Sequence, residues 1–413
     1  MPLKDNKSNS KSIYIFTFSY PFGKGESFLK GEIDYLAEKF DKLYICPKEN
    51  DKSSARSVPK NAEVICPDDA GNINYKYVFL KNLPILIYIF LTELIFNKNR
   101  LKIIGHLSFY IHLITTNLGI EEKIKPHIKK HPDAIFYSFW FYDWATILGI
   151  LKVKGYIKGF VSRINGIDFE EERHKSGFIF PRIFQLKTVS KVIAVSQYAL
   201  NRIKNDYPKF HKKYTLSRLG VQDKGKNIIT PSSNQIVIVS CAHISPIKRV
   251  ELIPEILKKT TISIKWVHFG GGNEYQQIIE QKASVLPDNI KYELRGYTPN
   301  EEIINYYQTN PVHLFVHLSE AEGGVPVSIQ EAISFGIPVL ATAVGGVPEI
   351  VNDQTGFLLD KNFEIDDAVN FINNFHSSVL NDMKYRNKIK EYFRNHFNDK
   401  SNNQQLYNNL ISL

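Results

Sequence analysis

The chain has 413 residues, of which 43% are hydrophobic, and a formal net charge of +10. A single core is excluded by length, since cores stop growing at roughly 250–300 residues, and two domains are expected. The apolar content is ordinary for a globular protein, and the basic balance favours an anionic partner such as a phosphorylated substrate, acidic lipid or nucleic acid.

The N-terminal stretch MPLKDNKSNSKS is polar and is expected to fray. The run that follows, Ile13 to Phe18, is too short for a signal-peptide core and has no small-residue cleavage site. A cytoplasmic protein is expected. After this first strand comes YPFGKGES. Here Gly23 and Gly25 let the backbone approach a ligand, and Glu26 is placed to cap the next helix; an ordinary tight turn is the alternative.

The most apolar stretch is NLPILIYIFLTELIF, Asn82 to Phe96, with Pro84 near its start and Glu93 inside it. It falls short of the ~18–20 residues a membrane span needs, so it reads as a core helix or an interfacial helix. Basic residues follow it: Lys98, Arg100 and Lys102, then Lys123, Lys125, Lys129 and Lys130. They fit peripheral contact with an anionic membrane at the inner face of the plasma membrane, or simply a solvated flank. The three cysteines, Cys46, Cys66 and Cys241, form no CxxC pair and no zinc-type cluster with histidine, and read as buried hydrophobes in a reducing compartment.

Short apolar runs recur throughout, with helical patterns between them. In the first half they are 12–19, 42–46, 62–66, 134–138, 159–163 and 191–195; in the second they are 235–242, 263–270, 291–298, 312–319 and 337–344. Several are apolar at nearly every position, which suits strands of a parallel sheet covered on both faces. The second-half starts lie 28, 28, 21 and 25 residues apart, the length of a βα unit. The expected class is α/β, with two doubly wound Rossmann-like domains facing across a cleft. The polar segment GVQDKGKNIITPSSNQ, Gly220 to Gln235, contains Gly225 and Pro231 and marks the seam. This gives an N-terminal domain over 1–222 and a C-terminal domain over 223–397, with the tail from about 398 to 413 docking on the first.

Ligands of doubly wound sheets bind outside the carboxyl ends of the strands, so the loops there carry the argument. After the strand at 235–242 comes HISPIKRVELIPEIL. Lys248 and Arg249 fall near the start of the next helix, where cations oppose the helix dipole unless an anion is bound. His243 could donate to the same anion. After 263–270 comes GGNEYQQIIE, a poor dinucleotide fingerprint because Tyr275 stands where the third glycine would be.

The last informative stretch is SEAEGGVPVSIQEAISFGIPVL, Ser319 to Leu340. It holds Glu320, Glu322 and Glu331 and no lysine or arginine. Pro326 suits a first helical turn, and Gly336 and Pro338 end the helix. Ile329, Ala332 and Ile333 share one face, and Glu331 falls roughly opposite, where a solvated glutamate is the plain alternative. Carboxylates beside the backbone donors of Gly323 and Gly324 suit hydroxyls, which donate to the first and accept from the second. Lys248 would then hold phosphates, and Glu322 and Glu331 sugars on either side.

SEAEGGVPVSIQEAISFGIPVLATAVGGVPEIV, followed by TGFLL, resembles the signature of the family-four retaining glycosyltransferases of the GT-B fold. SCAHISPIKRVELI is similar to their diphosphate strand and loop, and FSYPFGKGESFLKGEIDYL to the first βα unit of the subgroup found in bacterial polysaccharide gene clusters. The resemblance implies a nucleotide-sugar donor in the second domain and a glycan or lipid-linked acceptor in the first. It implies ribose on Glu331, the transferred sugar on Glu322 and the backbone of Gly323 to Val325, and diphosphate on Lys248. The Gly23–Gly25 loop would close over the diphosphate, and the backbone at Gly296 and Tyr297 would meet the base. No metal or other cofactor is implied, and no nucleic acid. Three features depart from the pattern. Glu322 and Glu331 stand one residue further apart than usual, His243 replaces an arginine, and Asn165 replaces an acceptor-side histidine. A GT-B epimerase acting on the donor alone, or a donor-binding scaffold, are the competing readings.

Overall fold

The computed structural model describes residues 12–23, 25–26, 28–49, 51, 55–67, 74–229, 235–272 and 274–412. The polar stretch before Ser12, Lys24 and Ser27 of the first glycine loop, and residues 230–234 of the predicted seam lie outside the described residues. The chain divides into two compact units. The first comprises the described residues to Val195, Ala199–Ser217 and the chain from Asn403; the second comprises Ser196–Tyr198 and Arg218–Asn402. The division comes just before the predicted seam because the seam is already committed to the second unit. The Val221 amide donates to the Phe397 carbonyl at 3.0 Å, and Asn227 Nδ2 donates to the Tyr307 carbonyl at 2.6 Å.

The first unit is a seven-stranded, wholly parallel sheet in the order β3-β2-β1-β4-β5-β6-β7. Its strands are β1 (Ser12–Thr17), β2 (Lys42–Pro47), β3 (Ala62–Val64), β4 (Ile135–Ser138), β5 (Val161–Ile164), β6 (Lys191–Ala194) and β7 (Tyr214–Leu216). The helices are α1 (Leu29–Lys39), α2 (Tyr75–Lys81), α3 (Leu83–Phe96), α4 (Arg100–Gly105), α5 (Leu107–Ile128), α6 (Asp143–Val153), α7 (Arg182–Thr188) and α8 (Gln197–Asp206). Strands β1, β2, β4 and β5 are buried at almost every position, which is why their sequences are apolar without alternation.

The second unit is a six-stranded parallel sheet in the order β10-β9-β8-β11-β12-β13. It contains β8 (Gln235–Cys241), β9 (Ser263–Phe269), β10 (Ile290–Leu294), β11 (Leu314–His317), β12 (Val339–Thr342) and β13 (Gly356–Leu359). Its helices are α9 (Leu252–Leu257), α10 (Glu274–Ala283), α11 (Asn300–Thr309), α12 (Val327–Ser334), α13 (Ile365–Asn373) and α14 (Met383–His396). The last helix, α15 (Asp399–Ile411), begins here and ends in the first unit. Successive residues of β8 feed opposite layers: Val237 and Val239 pack in one core, Ile236 and Ile238 in the other. β7 and β13 were not anticipated. Both are short edge strands of three and four residues, too brief for a periodic signal.

Buried polar groups in the first unit are paired in a way that fixes the helix on the sheet. Glu32 of α1 accepts from the Tyr137 hydroxyl of β4 at 2.9 Å and forms an ion pair with Arg163 of β5. Arg163 is 1% exposed and Glu32 4%. Removing one partner of such a pair strands the other charge in the core. Glu32→Ala should therefore destabilise the protein by ~3–5 kcal/mol, read as a lower urea midpoint by circular dichroism. Glu32→Gln, which keeps an acceptor for Tyr137, should lose less.

Candidate active site

Each sheet reverses its strand order once, between β1 and β4 in the first unit and between β8 and β11 in the second. Crevices outside the strand ends at such points are where this architecture binds ligands. In the second unit the two loops concerned are the one after β8, with Lys248, and the one after β11, with Glu322.

The β8 loop is held against β9 by the Ala242 amide on Phe269 O and the Ile244 amide on Gly271 O, each at 3.0 Å. Gly270 has φ +131°, and a Cβ there would lie 1.9 Å from the Ala242 carbonyl oxygen. The glycine run after β9 thus serves a close approach of two loops, which accounts for it without a dinucleotide. Beyond Ile244 the chain makes one 3-10 turn, Pro246–Lys248, and Arg249 takes a left-handed conformation at φ 45°. The helix α9 starts only at Leu252 and spans six residues. Lys248 therefore lies near the start of α9, as expected, but outside its first turn, so the expected conflict with a helix dipole does not arise.

The Arg249 guanidinium donates to Leu318 O at 2.7 Å, Ser319 O at 3.2 Å and Lys361 O at 3.1 Å. The left-handed turn aims its fork at carbonyls beyond the ends of β11 and β13, so it fastens these loops together. His243 is exposed.

Lys248 Nζ lies 2.5 Å from Glu322 Oε1. The same oxygen accepts from Ser319 Oγ at 2.6 Å and His317 Nε2 at 2.8 Å. The absence of a neutralising cation in the local sequence is thus made good from 74 residues upstream. Burial alone would raise the Glu322 carboxyl; the hydrogen bond from His317 and the Lys248 ammonium outweigh it and hold it down at about 2. An ionised carboxylate only accepts, so His317 presents its Nε2 proton to it. Glu322 Oε2 has no partner within hydrogen-bond range among the described residues, and the amides of Gly323, Gly324 and Val325 donate to none of them either.

The path of this loop depends on Gly345 and Gly346, to which no role was assigned from sequence. Gly345 has φ +52°, and a Cβ there would fall 1.3 Å from the Glu322 carbonyl oxygen; at Gly346 it would fall 2.5 Å from that of Gly324. Their signal was a Gly-Gly pair directly after a strand-like run. His317 and Ser319 also went unassigned, since both read locally as a strand end.

Glu331 projects from α12, whose Ile329, Ala332 and Ile333 are fully buried. It is not solvated: it is 8% exposed and its Oε1 accepts from Asn300 Nδ2 of α11 at 2.7 Å. The far side of α12 is covered by α14, whose Lys390 donates to Ser334 O at 2.8 Å. Burial pushes the Glu331 carboxyl up to about 7, against the Asn300 hydrogen bond. Cys241, at the end of β8, is pushed up to about 12 by burial. Gly296 turns with φ +63° and accepts from the Gly270 amide at 2.8 Å; Tyr297 beside it is exposed. Asn300, four residues on, was missed because it reads as the start of a polar helix.

In the first unit the glycine loop is tied to its own surroundings. Arg56 donates to Gly23 O and Gly25 O, each at 2.8 Å. Glu26 does not cap α1. Its carboxylate turns back onto the amides of Phe18, Ser19 and Tyr20 and accepts from Trp140 Nε1, because that loop otherwise leaves three donors unmatched. Asn165 stands at the end of β5, but its side chain is committed: Nδ2 donates to Phe139 O at 3.0 Å, and the side chain caps the turn at Asp168. It acts as a structural cap. Among the described residues no three His, Cys, Asp or Glu side chains are grouped to hold a metal ion.

The family described as "Glycosyl transferases group 1" matches residues 221–396. The second unit's site described above, from Lys248 to Gly346, lies within the matched span. The putative colanic acid biosynthesis glycosyltransferase WcaL of Escherichia coli (strain K12) is 27% identical over 227 residues, covering 51% of this chain and 54% of that protein. The amylovoran biosynthesis glycosyltransferase AmsK of Erwinia amylovora is 28% identical over 157 residues, covering 36% and 38%. The chain thus matches about half or less of the length of these relatives. Among solved structures, HepE of Anabaena in complex with UDP and glucose superposes with a TM-score of 0.69 at 15% identity, covering 98% of this chain and 100% of that one. The lipopolysaccharide outer core galactosyltransferase WaaB, in its apo form, gives 0.66 at 15%, covering 97% and 99%. The fold is GT-B.

The state of Glu331 has a consequence for stability. Its folded pKa of about 7 stands above the ordinary 4.5, so the unfolded chain ionises first as pH rises. Its contribution is complete below about 4.5 and is lost as pH rises to about 7, by on the order of 3 kcal/mol. Glu331→Gln should flatten this part of the stability–pH profile, measured by urea unfolding across that window.

Proposed function

We propose that this chain is a retaining glycosyltransferase that moves a sugar from a nucleotide-sugar to a hydroxyl of a glycan or lipid-linked acceptor. Its place is cell-surface polysaccharide biosynthesis, on the cytoplasmic side of a membrane that it contacts peripherally. The observation that carries the reading is the Lys248–Glu322 pair, with an unpartnered carboxylate oxygen and three undirected amides beside it, at the switch point of the group 1 domain.

A donor diphosphate draws the Lys248 ammonium away from Glu322, because a diphosphate offers more charge than a carboxylate. Glu322, still held by His317 and Ser319, then accepts a hydroxyl of the sugar. Glu331 and Asn300 take the ribose hydroxyls, and the backbone at Gly296 and Tyr297 takes the base. The acceptor oxygen bonds to the anomeric carbon on the face that the phosphate leaves. The carbon–oxygen bond to phosphate breaks with its electron pair on phosphate, which receives the acceptor proton. Configuration is thereby retained without a protein base, consistent with the commitment of Asn165 to backbone groups. Lys248 and the Gly323–Val325 amides take the leaving-group charge, so turnover should be insensitive to EDTA.

The bound UDP in HepE makes UDP-sugars the first donors to try. A panel of nucleotide-sugars separates sugar transfer from epimerised donor and from binding without turnover. Lys248→Ala should weaken UDP binding by ~1.5–3 kcal/mol in calorimetry and leave uridine unaffected; equal losses for both would mean that Lys248 supports the fold alone. Glu322→Gln should keep UDP affinity while lowering turnover at least tenfold, since its contact is with the ring whose geometry changes in the transition state. Full turnover in that variant would remove Glu322 from the mechanism.

A further inference from the structure

Thirteen of the twenty-eight exposed large hydrophobic side chains among the described residues fall between Tyr75 and Phe109, on α2 to α5. On α3 they form a stripe, Ile87, Tyr88, Leu91 and Ile95, facing solvent, while Ile85, Leu86, Ile89 and Glu93 face inward. This is the reverse of an ordinary surface helix, where the charged residue points out. Glu93 is fully buried, and its carboxylate accepts from Asn97 Nδ2 at 2.7 Å and from the Phe184 amide of α7 at 2.8 Å. Turning the stripe inward would break those bonds, so the apolar face is held outward by the only acid between Tyr75 and Ile120.

With that acid withdrawn, the charged side chains left between Tyr75 and Ile120 are all basic. Lys76, Arg100 and Lys102 have no carboxylate within salt-bridge range among the described residues; Lys81 reaches Glu122 at 3.0 Å and Lys98 reaches Glu171 at 4.0 Å. A contiguous apolar patch of this kind, rimmed by polar groups, marks an interaction surface. A second copy of the chain would bring two basic rims together. An anionic bilayer complements both the stripe and its rim, and the tyrosines suit the headgroup boundary. Spanning is not the mode. No single helix among the described residues is long and apolar enough to cross a membrane, and α2 and α3 bend by 71° at their junction.

We infer that the α2–α5 face docks on the surface of an anionic phospholipid bilayer, with the Ile87–Ile95 stripe at the acyl boundary and Lys76, Arg100 and Lys102 among the headgroups. The docked face is wired to the loop after β5. Glu93 grips the first turn of α7, and Arg182 of the same helix donates to Phe141 O at 2.9 Å and to Asp168 O, in the turn that Asn165 caps. Resting on the transfer reaction proposed above, this brings a lipid-borne acceptor beside that loop.

The test is co-sedimentation of the full chain with vesicles of phosphatidylcholine alone and of phosphatidylcholine with phosphatidylglycerol. Ile87→Gln/Leu91→Gln/Ile95→Gln and Lys76→Ser/Arg100→Ser/Lys102→Ser alter exposed positions only, and unchanged melting midpoints check their folds. At least tenfold tighter binding of the wild type to the anionic vesicles is expected, with at least a tenfold loss in each variant. Wild-type protein left in the supernatant with anionic vesicles would overturn the inference. So would an apolar variant that binds as the wild type does, or a dimer in sedimentation velocity that the same substitutions dissolve. UDP binding is measured in parallel: vesicle binding without UDP binding retains the docked face and removes the transferase reading, and UDP binding without vesicle binding does the reverse.

Discussion

A carboxylate withdrawn from water must be matched by donors, and at Glu322 three of them converge on one oxygen. That convergence organises the second unit's site. It requires His317 to end β11, Ser319 to follow it, and Lys248 to arrive from the neighbouring strand's loop. It also requires the backbone of the loop to pass over Gly345 and Gly346, where any side chain would collide with it. The result is an ion pair in which the Glu322 carboxylate keeps two further donors, His317 and Ser319, beside the Lys248 cation. Such a pair is poised for binding more than for stability, because the desolvation cost of the two charges offsets most of their attraction.

The first unit uses its acids differently. Glu26, Glu32 and Glu93 all turn inward and serve as acceptors for backbone or core groups. Glu26 does so from a left-handed conformation at φ 54°, a strain of about 1–3 kcal/mol, offset by the amides it collects. Glu32 clamps α1 to β4 and β5. Glu93 sets the rotation of α3 and so decides which side of an almost wholly apolar helix meets solvent. In each case the acid settles an orientation that hydrophobic burial alone leaves open, since burial is non-directional and a carboxylate's hydrogen bonds are not.

Much of this was legible in the residues. Short apolar runs spaced by a βα length suit strands of a parallel sheet, and eleven of the thirteen strands among the described residues lie at such runs. Pro326 and Gly336 bracket α12 closely. Lys248, Glu322 and Glu331 stood out by residue type and by their place after strands. The misses have a common origin. The helical projection of α12 left Glu331 on the solvent side because it could not include α14, which comes from fifty residues further on. The short helix α9 starts later than its apolar residues imply because Arg249 breaks the turn in a left-handed conformation.

By itself the sequence determined the alternation of strand and helix, the two parallel sheets and the residue types available at the strand ends, because these depend on local pattern and on which side chains tolerate full burial. Only the tertiary structure decided the pairings. Lys248 meets Glu322, Arg249 meets the carbonyls beyond β11 and Asn300 meets Glu331, because β8 lies beside β11 and α11 beside α12. Strand order in a parallel sheet is settled by crossovers between elements far apart in the chain, and no spacing within a loop records which other loop will lie across from it.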